Sequence, residues 1–426
     1  MLGQRGFWVA EGSGGLHGRM DDAGQPAGFR SVFAEGEFRW LWAAGAQSQL
    51  GDQLARVALS VLVFERTGST LLTAAVYALT FLPALVGGLV LGGVADRYPR
   101  RRVLVGCDVV RAGLLAGMAL PGVPLVALGA LLTLVTLVGA PFKAAEPALL
   151  AEIFADHRYV TALGLRTATH QSAQLVGFAV GGVAVAAVGP RPALMIDAAT
   201  FAVSAVILRW GLRRRPAART PDLRTQKAAG SGFLAGIRVV GGDRRLRALL
   251  GLAWLAGLWV VPEGLAAPYA AAVEAGPAGI GLLLAANPAG NVLGALLISR
   301  WVRPATRARL LGPLAVAAGM PLMLCVFQPG LLVTVGLWAI AGFCSAYQVQ
   351  LIAEYMAAIP DARRGQAVGV ASAGLLAVQG IGLLAGGAIA QAWAVAPTIA
   401  LAGATGSLLA ASLAISRTRA GHAATR

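Results

Sequence analysis

From Phe38 to Ile415 the sequence runs in long apolar stretches, continuous instead of alternating with polar residues, separated by short polar and basic turns. A helix needs about 20 apolar residues to cross roughly 30 Å of hydrocarbon, so each stretch predicts one membrane-spanning helix. Twelve are expected, near residues 38–64, 71–95, 102–120, 124–150, 163–188, 192–210, 247–272, 277–299, 307–326, 330–355, 366–391 and 395–416. The continuity of the apolar runs excludes a transmembrane barrel. After the sixth span, Arg213-Arg214-Arg215 and Pro216 lead to a weakly amphipathic piece, Phe233 to Val240, which predicts a linker at 211–246 lying along the membrane surface. The expected organisation is a tail at 1–36, a six-helix bundle at 37–210, the linker, a second six-helix bundle at 247–417 and a tail at 418–426. The tail at 1–36 is Gly-rich and polar, without the pattern of a cleavable signal peptide, and Met20 is a second candidate start. The fold class is therefore all-α and polytopic, with twelve transmembrane helices in two six-helix pseudo-repeats.

Composition narrows the class. With 57% hydrophobic and 13% charged residues among 426, and a mean hydropathy of +0.71, the apolar majority needs lipid as its solvent. A water-soluble enzyme and a disordered chain are excluded. So is a disulfide scaffold, because Cys107, Cys325 and Cys344 all fall within predicted spans. The net charge of +16 is explained by position. Of 35 Lys and Arg residues, Arg66 and Arg191 lie on one face, Arg56, Arg111, Lys143 and Arg166 fall inside spans, and the rest lie on the opposite face. Such asymmetry marks the cytoplasmic side and places both termini there. No folded basic module is long enough to read nucleic acid, so no nucleic-acid partner is expected. The dominance of Ala, Gly and Arg suggests a high-GC bacterium and its cytoplasmic (inner) membrane.

The two bundles carry matching segments. Gly88-Leu89-Val90-Leu91-Gly92 aligns with Gly290-Asn291-Val292-Leu293-Gly294, and Leu149-Leu150-Ala151-Glu152 with Leu351-Ile352-Ala353-Glu354, both at an offset of 202. Gly181-Gly182 answers Gly386-Gly387 at 205. The order and near-constant spacing read as a parallel six-plus-six repeat, which places a binding site between the halves near the membrane midplane.

Between spans two and three stands Gly92-Gly93-Val94-Ala95-Asp96-Arg97-Tyr98-Pro99-Arg100-Arg101-Arg102. It resembles motif A of the major facilitator superfamily, with Pro99 where that pattern has Gly. As a gate, Gly92 would admit a neighbouring backbone, and Asp96 would hold a facing helix N-terminus. Arg97, Arg100 and Arg101 would tie the cytoplasmic edges together in one state. Gly51-Asp52, Leu62 to Ser69 and Asp197-Ala198-Ala199-Thr200-Phe201 are similar to the branch holding macrolide-efflux and enterobactin-exporter proteins. Gly177-Phe178-Ala179-Val180-Gly181-Gly182 resembles motif C of exporters, with Phe178 in place of its Pro; helix packing explains Gly177, Gly181 and Gly182 equally well. The motif B arginine of span four is absent, and Lys143 is the cation available there, either facing the cavity or paired with Glu146 at the boundary.

An ionisable residue inside a span costs at least about 2.5–3.5 kcal/mol, so each needs a partner, water or a task. Asp52 lies near the centre of span one with Arg56 four residues on. Three roles are open: proton coupling, with a carboxylate wetted in one state and desolvated in the other; a static Asp52–Arg56 ion pair; or contact with a cationic substrate. Arg166, His170 and Gln174 form a polar stripe on span five suited to a cavity wall. Asp108, Arg111 and Asp197 read as structural, outside the cavity. In the second half, Asn287, Asn291 and Gln348 are cavity candidates, and Glu263 beside Pro262 is either a cation or proton site or an interfacial acid. Aliphatic walls with uneven charge suit an amphipathic organic substrate.

No metal cluster, phosphate loop or catalytic triad is present, so neither an enzyme nor a cofactor is expected and the proton gradient is the expected energy source. The leading function is proton-coupled export of an amphipathic drug or secondary metabolite by a monomer, with a small molecule and the lipid bilayer as its partners. An importer of a small metabolite and a transport-inactive, lipid-handling protein are the alternatives.

Overall fold

The computed structural model describes residues 29–91, 93–154, 158–216, 235–360 and 363–423, apart from the side chains of Asp96, Pro304 and 420–423. Most of the expected tail at 1–36 and half of the linker at 211–246 thus lie outside the described residues. All regular structure among those described is helical. The twelve long helices are α1 (Gly36–Thr67), α2 (Thr70–Leu91), α3 (Arg100–Ala119), α4 (Leu125–Ile153), α5 (Arg158–Val188), α6 (Pro190–Gly211), α7 (Arg244–Gly264), α8 (Gly276–Trp301), α9 (Ala305–Phe327), α10 (Leu331–Ala357), α11 (Arg364–Ala392) and α12 (Val395–Arg419). Ten of these are long and apolar enough to cross a membrane; α1 and α3 fall short of that measure. The physical reason is the polar set they carry inward, Ser48, Asp52 and Arg56 on α1 and Asp108 and Arg111 on α3. Successive helices run in opposite directions, so one end of the bundle collects the arginine turns and the other collects the loops at Gly68, Gly122, Gly189 and Gly330. Each of those glycines has positive φ.

Backbone breaks follow from proline. In α2 the helix loosens at 79–81, because Pro83 has no N–H for the carbonyl of Leu79. The Thr136 hydroxyl of α4 donates to that carbonyl at 3.1 Å instead. In α7, turns recur at Leu255, Val260 and Leu265, and the chain continues as Ala266–Ala272.

Helix association in lipid depends on close packing of small residues, and glycines make the two halves alike. On α5, a Cβ at Gly177 would lie 2.8 Å from the Gln53 Cβ and one at Gly181 3.1 Å from the Leu54 Cα, both on α1. The next residue, Gly182, faces the other half, 2.6 Å from the Gly281 Cα of α8 by the same measure. On α11 the pattern repeats. Gly382 and Gly386 pack on Gly257 and Val261 of α7, while Gly387 faces Leu71 and Ala74 of α2. Thus α5 meets α8 and α11 meets α2, both near the end away from the arginines, and these contacts close that far end.

In its later described part the expected linker is a short helix laid against the second half. Residues 235–242 are helical, Gly236 packs against the Gln366 carbonyl and Val370 of α11, and Val240 is buried.

Candidate functional site

A cavity of about 390 Å³ runs from Phe38 and Leu150, near the basic end, to Asp52 and Arg111 deep in the bundle. A narrower extension of about 70 Å³ shares Asp52, Arg111, Gly139 and Lys143 and continues to Ser60, Tyr77 and Thr136 toward the far end. Every lining residue of both belongs to the first six helices.

At the junction, Arg111 of α3 donates to the Asp52 Oδ1 of α1 at 2.8 Å, and its guanidinium lies 3.8 Å from the centroid of the Phe201 ring on α6. Of the three roles open for Asp52, the static pair with Arg56 is therefore corrected. One helix face is not one partner, and Arg56 points along α1 to lie over the Tyr77 ring, 5.8 Å from its centroid. Arg111, expected outside the cavity, is part of its wall. Asp197, also expected outside the cavity, lines its narrow part beside them. It is fully buried, its Oδ1 accepts from Thr200 Oγ1 at 3.1 Å, and its Oδ2 has no partner among the described residues. Gly51 is the residue that makes room, since a Cβ there would lie 2.2 Å from Asp197 Oδ1. The segments Gly51-Asp52 and Asp197 to Phe201 thus form one packed unit. Asp108 remains outside the cavity, buried, with Ser204 Oγ donating to its Oδ2 at 2.6 Å.

Closer to the basic end, Arg166 of α5 donates to Glu146 Oε2 of α4 at 2.6 Å, and Trp42 Nε1 donates to Thr169 Oγ1 at 2.7 Å. Pairing of Lys143 with Glu146 is corrected by the first of these bonds. Lys143 faces the cavity and is solvent-exposed there. His170 also lines the wall with Arg166, but Gln174, the last of the expected stripe, lies beyond it. Asn287, Asn291 and Gln348 line neither part. The Asn287 backbone is instead pressed against Gly342 of α10. Glu263 accepts from the Tyr77 hydroxyl at 2.9 Å, a bond that crosses from the first half to the second.

At the far end Gln391 of α11 accepts from Ser69 Oγ at 2.9 Å and Thr70 Oγ1 at 3.2 Å, again across the halves. In the basic turn, Gly92 and the Asp96 side chain lie outside the described residues. Arg97 is exposed; Arg100 bonds Glu152 Oε1 at 2.7 Å and the Ala148 carbonyl at 2.5 Å; Arg101 donates to the Arg209 carbonyl. The Arg100 and Arg101 contacts stay within the first half and do not tie it to the second. Glu152 has a counterpart in Glu354 of α10, held by Arg417 at 3.3 Å. Glu37, just ahead of the predicted first span, is buried and accepts from the Arg213 N–H at 2.6 Å and from Arg215 at 2.9 and 2.5 Å. Burial alone would raise its carboxyl. The bonds from Arg215 and the Arg213 backbone outweigh that and hold it below the usual carboxylate range.

Arg111 as a cavity residue, Asp197, Tyr77, Gln391 and Glu37 were not singled out as site residues in the sequence. Periodicity along one helix carries no signal for partners on another.

The sequence matches the Major Facilitator Superfamily over residues 41–262, just over half of the chain. It is 29% identical over 360 residues to the multidrug efflux pump Tap of Mycobacterium tuberculosis, covering 80% of this chain and 84% of that protein. Macrolide efflux protein A of Streptococcus pyogenes is 30% identical over 76 residues, 18% of this chain and 19% of that one. Among solved structures, the peptide transporter POT in complex with sulfate superposes with a TM-score of 0.74 at 14% identity, covering 94% of this chain and 97% of that chain.

Proposed function

The chain belongs to the major facilitator superfamily, a family of multi-pass membrane transporters, and we propose that it exports amphipathic drugs or secondary metabolites in exchange for protons. The basic end faces the cytoplasm of a bacterial cell, in keeping with the positive-inside rule, and both termini lie on that side. The closed far end and the cavity reaching toward the basic end then correspond to an inward-facing state. The similarity to Tap pumps supports export over import.

The observation that carries the coupling is the Asp52–Arg111 pair at the cavity junction. A carboxylate in the wall of a low-dielectric cavity either keeps its cation or takes a proton, because an unpaired buried charge is strongly disfavoured. The groups facing Asp52 are Arg111 from α3, Lys143 from α4 and the buried Asp197 from α6. Proton arrival at Asp52 frees Arg111, and substrate arrival in the cavity reverses the exchange. Tyr77–Glu263 and the Gln391 cluster break as the far end opens, so proton and substrate bind to alternate states of one cavity.

Growth of a pump-deficient bacterial host across a panel of toxic amphipathic compounds tests this. Wild type is expected to protect, and Asp52→Asn at matched expression is expected not to. Sensitisation by wild type would establish import, and no effect on any compound would establish a transport-inactive fold.

A further inference from the structure

We infer that the cavity selects amphipathic compounds carrying an acidic group, seated against the ammonium of Lys143. This deepens the export reading and rests on it. Both acids of the wide cavity are already engaged, Glu146 by Arg166 and Asp52 by Arg111. Lys143, from α4 between Pro141 and Pro147, faces the same space, solvent-exposed and with no hydrogen-bond or ion-pair partner among the described residues. The wide cavity is therefore lined by one more cation than acid, and His170 adds a group that can only increase that excess.

An ammonium that faces cavity water without a protein partner is free to bond a ligand, and the surrounding low dielectric strengthens that bond over its equivalent in bulk water. A cationic ligand would meet Arg111, Lys143 and Arg166, and the carboxylates of Asp52 and Glu146 are each already ion-paired. A neutral ligand would leave Lys143 as it is. An anion gains a charge-assisted hydrogen bond from an ammonium already facing the cavity, with nothing to displace. The remainder of the wall sets the other half of the ligand. Phe38, Leu41, Trp42 and Leu150 lie on the basic-end side of Lys143 and, with Phe142 next to it in the chain, offer an apolar and aromatic surface. About 390 Å³ falls in the range of small-molecule sites. The fitting ligand has an acidic head at Lys143 and an aromatic or aliphatic body toward Trp42.

The test uses purified protein in phosphatidylcholine nanodiscs and three probes with one body: N-dansyl-6-aminohexanoate, its carboxamide, and N-dansyl-1,6-diaminohexane. Binding is read from dansyl emission, with empty nanodiscs subtracted. The acid is expected to bind wild type about tenfold to a hundredfold tighter than the amide, the range for one charge-assisted bond, and the amine to bind weakest. Lys143→Gln is expected to bring acid and amide to near parity, and Lys143→Arg to keep the preference. The wild-type comparison alone suffices if a variant fails to fold. Amide or amine binding as tight as the acid, an acid preference that survives in Lys143→Gln, or no binding of any probe would overturn the inference. Resistance to neutral or cationic compounds that Asp52→Asn abolishes, alongside indifference to the acid, would sink this inference and leave export standing. Acid preference without any effect in cells would do the reverse.

Discussion

Asp52 on α1 and Arg111 on α3 meet at 2.8 Å where the wide and narrow parts of the cavity join. Fifty-nine residues separate them in sequence, and the ion pair ties the first helix of the half to its third. Two neutral variants separate a mutual bond from two independent contributions. Asp52→Asn and Arg111→Gln are each expected to lower thermal stability in detergent. The double variant is expected to recover part of the loss, with a coupling energy of about 1–3 kcal/mol. Additive losses would show that the two side chains act separately.

The contact of Gly182 with Gly281 leaves no room for a methyl group, because the opposing atoms are backbone. Gly182→Ala is expected to push α5 from α8 and destabilise the closed far end. A cysteine at Ala74, buried between α2 and α11, then reacts faster with a membrane-impermeant maleimide from the far side, against a background of buried native cysteines. Gly88→Ala is the control, since nothing lies within 4 Å of its would-be Cβ. Equal labelling in both variants would remove the glycine contact from the gate.

Tyr77→Phe removes the donor to Glu263 and leaves a carboxyl without its partner at the interface of the halves. The closed far end is expected to weaken by about 1–3 kcal/mol, the cost of an unsatisfied buried group. Far-side labelling of the Ala74 cysteine reports it, and Glu263→Gln, which can still accept from Tyr77, should perturb less. The reverse order would show that charge at Glu263, and not the hydrogen bond, closes this end.

Glu37 gives a pH signature outside the spans. Its carboxyl is held below the usual range, so its contribution is fully present above the unfolded value and is lost as pH falls through the folded value. Near neutral pH, Glu37→Gln should be less stable than wild type by about 1–3 kcal/mol. Thermal unfolding of both proteins from neutral to acidic pH should show the gap closing as the solution is acidified. A gap independent of pH would mean that packing, not charge, is what the side chain supplies.

Much of this architecture is legible in the sequence. The apolar runs predict twelve helices, and two of the repeat offsets mark matching places: Gly182 and Gly387, 205 apart, each face the other half, and Glu152 and Glu354, 202 apart, are each held by an arginine. Gly88 and Gly290, also 202 apart, do not match, because Gly290 packs against Ala339 of α10 while nothing lies within 4 Å of a Cβ at Gly88. What helical periodicity misassigned were partners. Arg56, four residues from Asp52, is one of the partners the sequence leaves open for it, yet an arginine from another helix reaches the carboxylate, leaving Arg56 over Tyr77. Likewise Glu146 is three residues from Lys143 but is taken by Arg166 across the gap between α4 and α5. Such choices depend on how helices rotate against each other, which small residues such as Gly51 and Gly177 decide through contacts invisible along one helix.

Proton-driven export through Asp52 is tested most directly in everted membrane vesicles, using a compound to which the protein confers resistance. Acidifying the vesicle interior should drive accumulation of that compound, a protonophore should abolish it, and Asp52→Asn vesicles should show none. Accumulation that persists with the protonophore, or an undiminished rate in Asp52→Asn, would contradict the account.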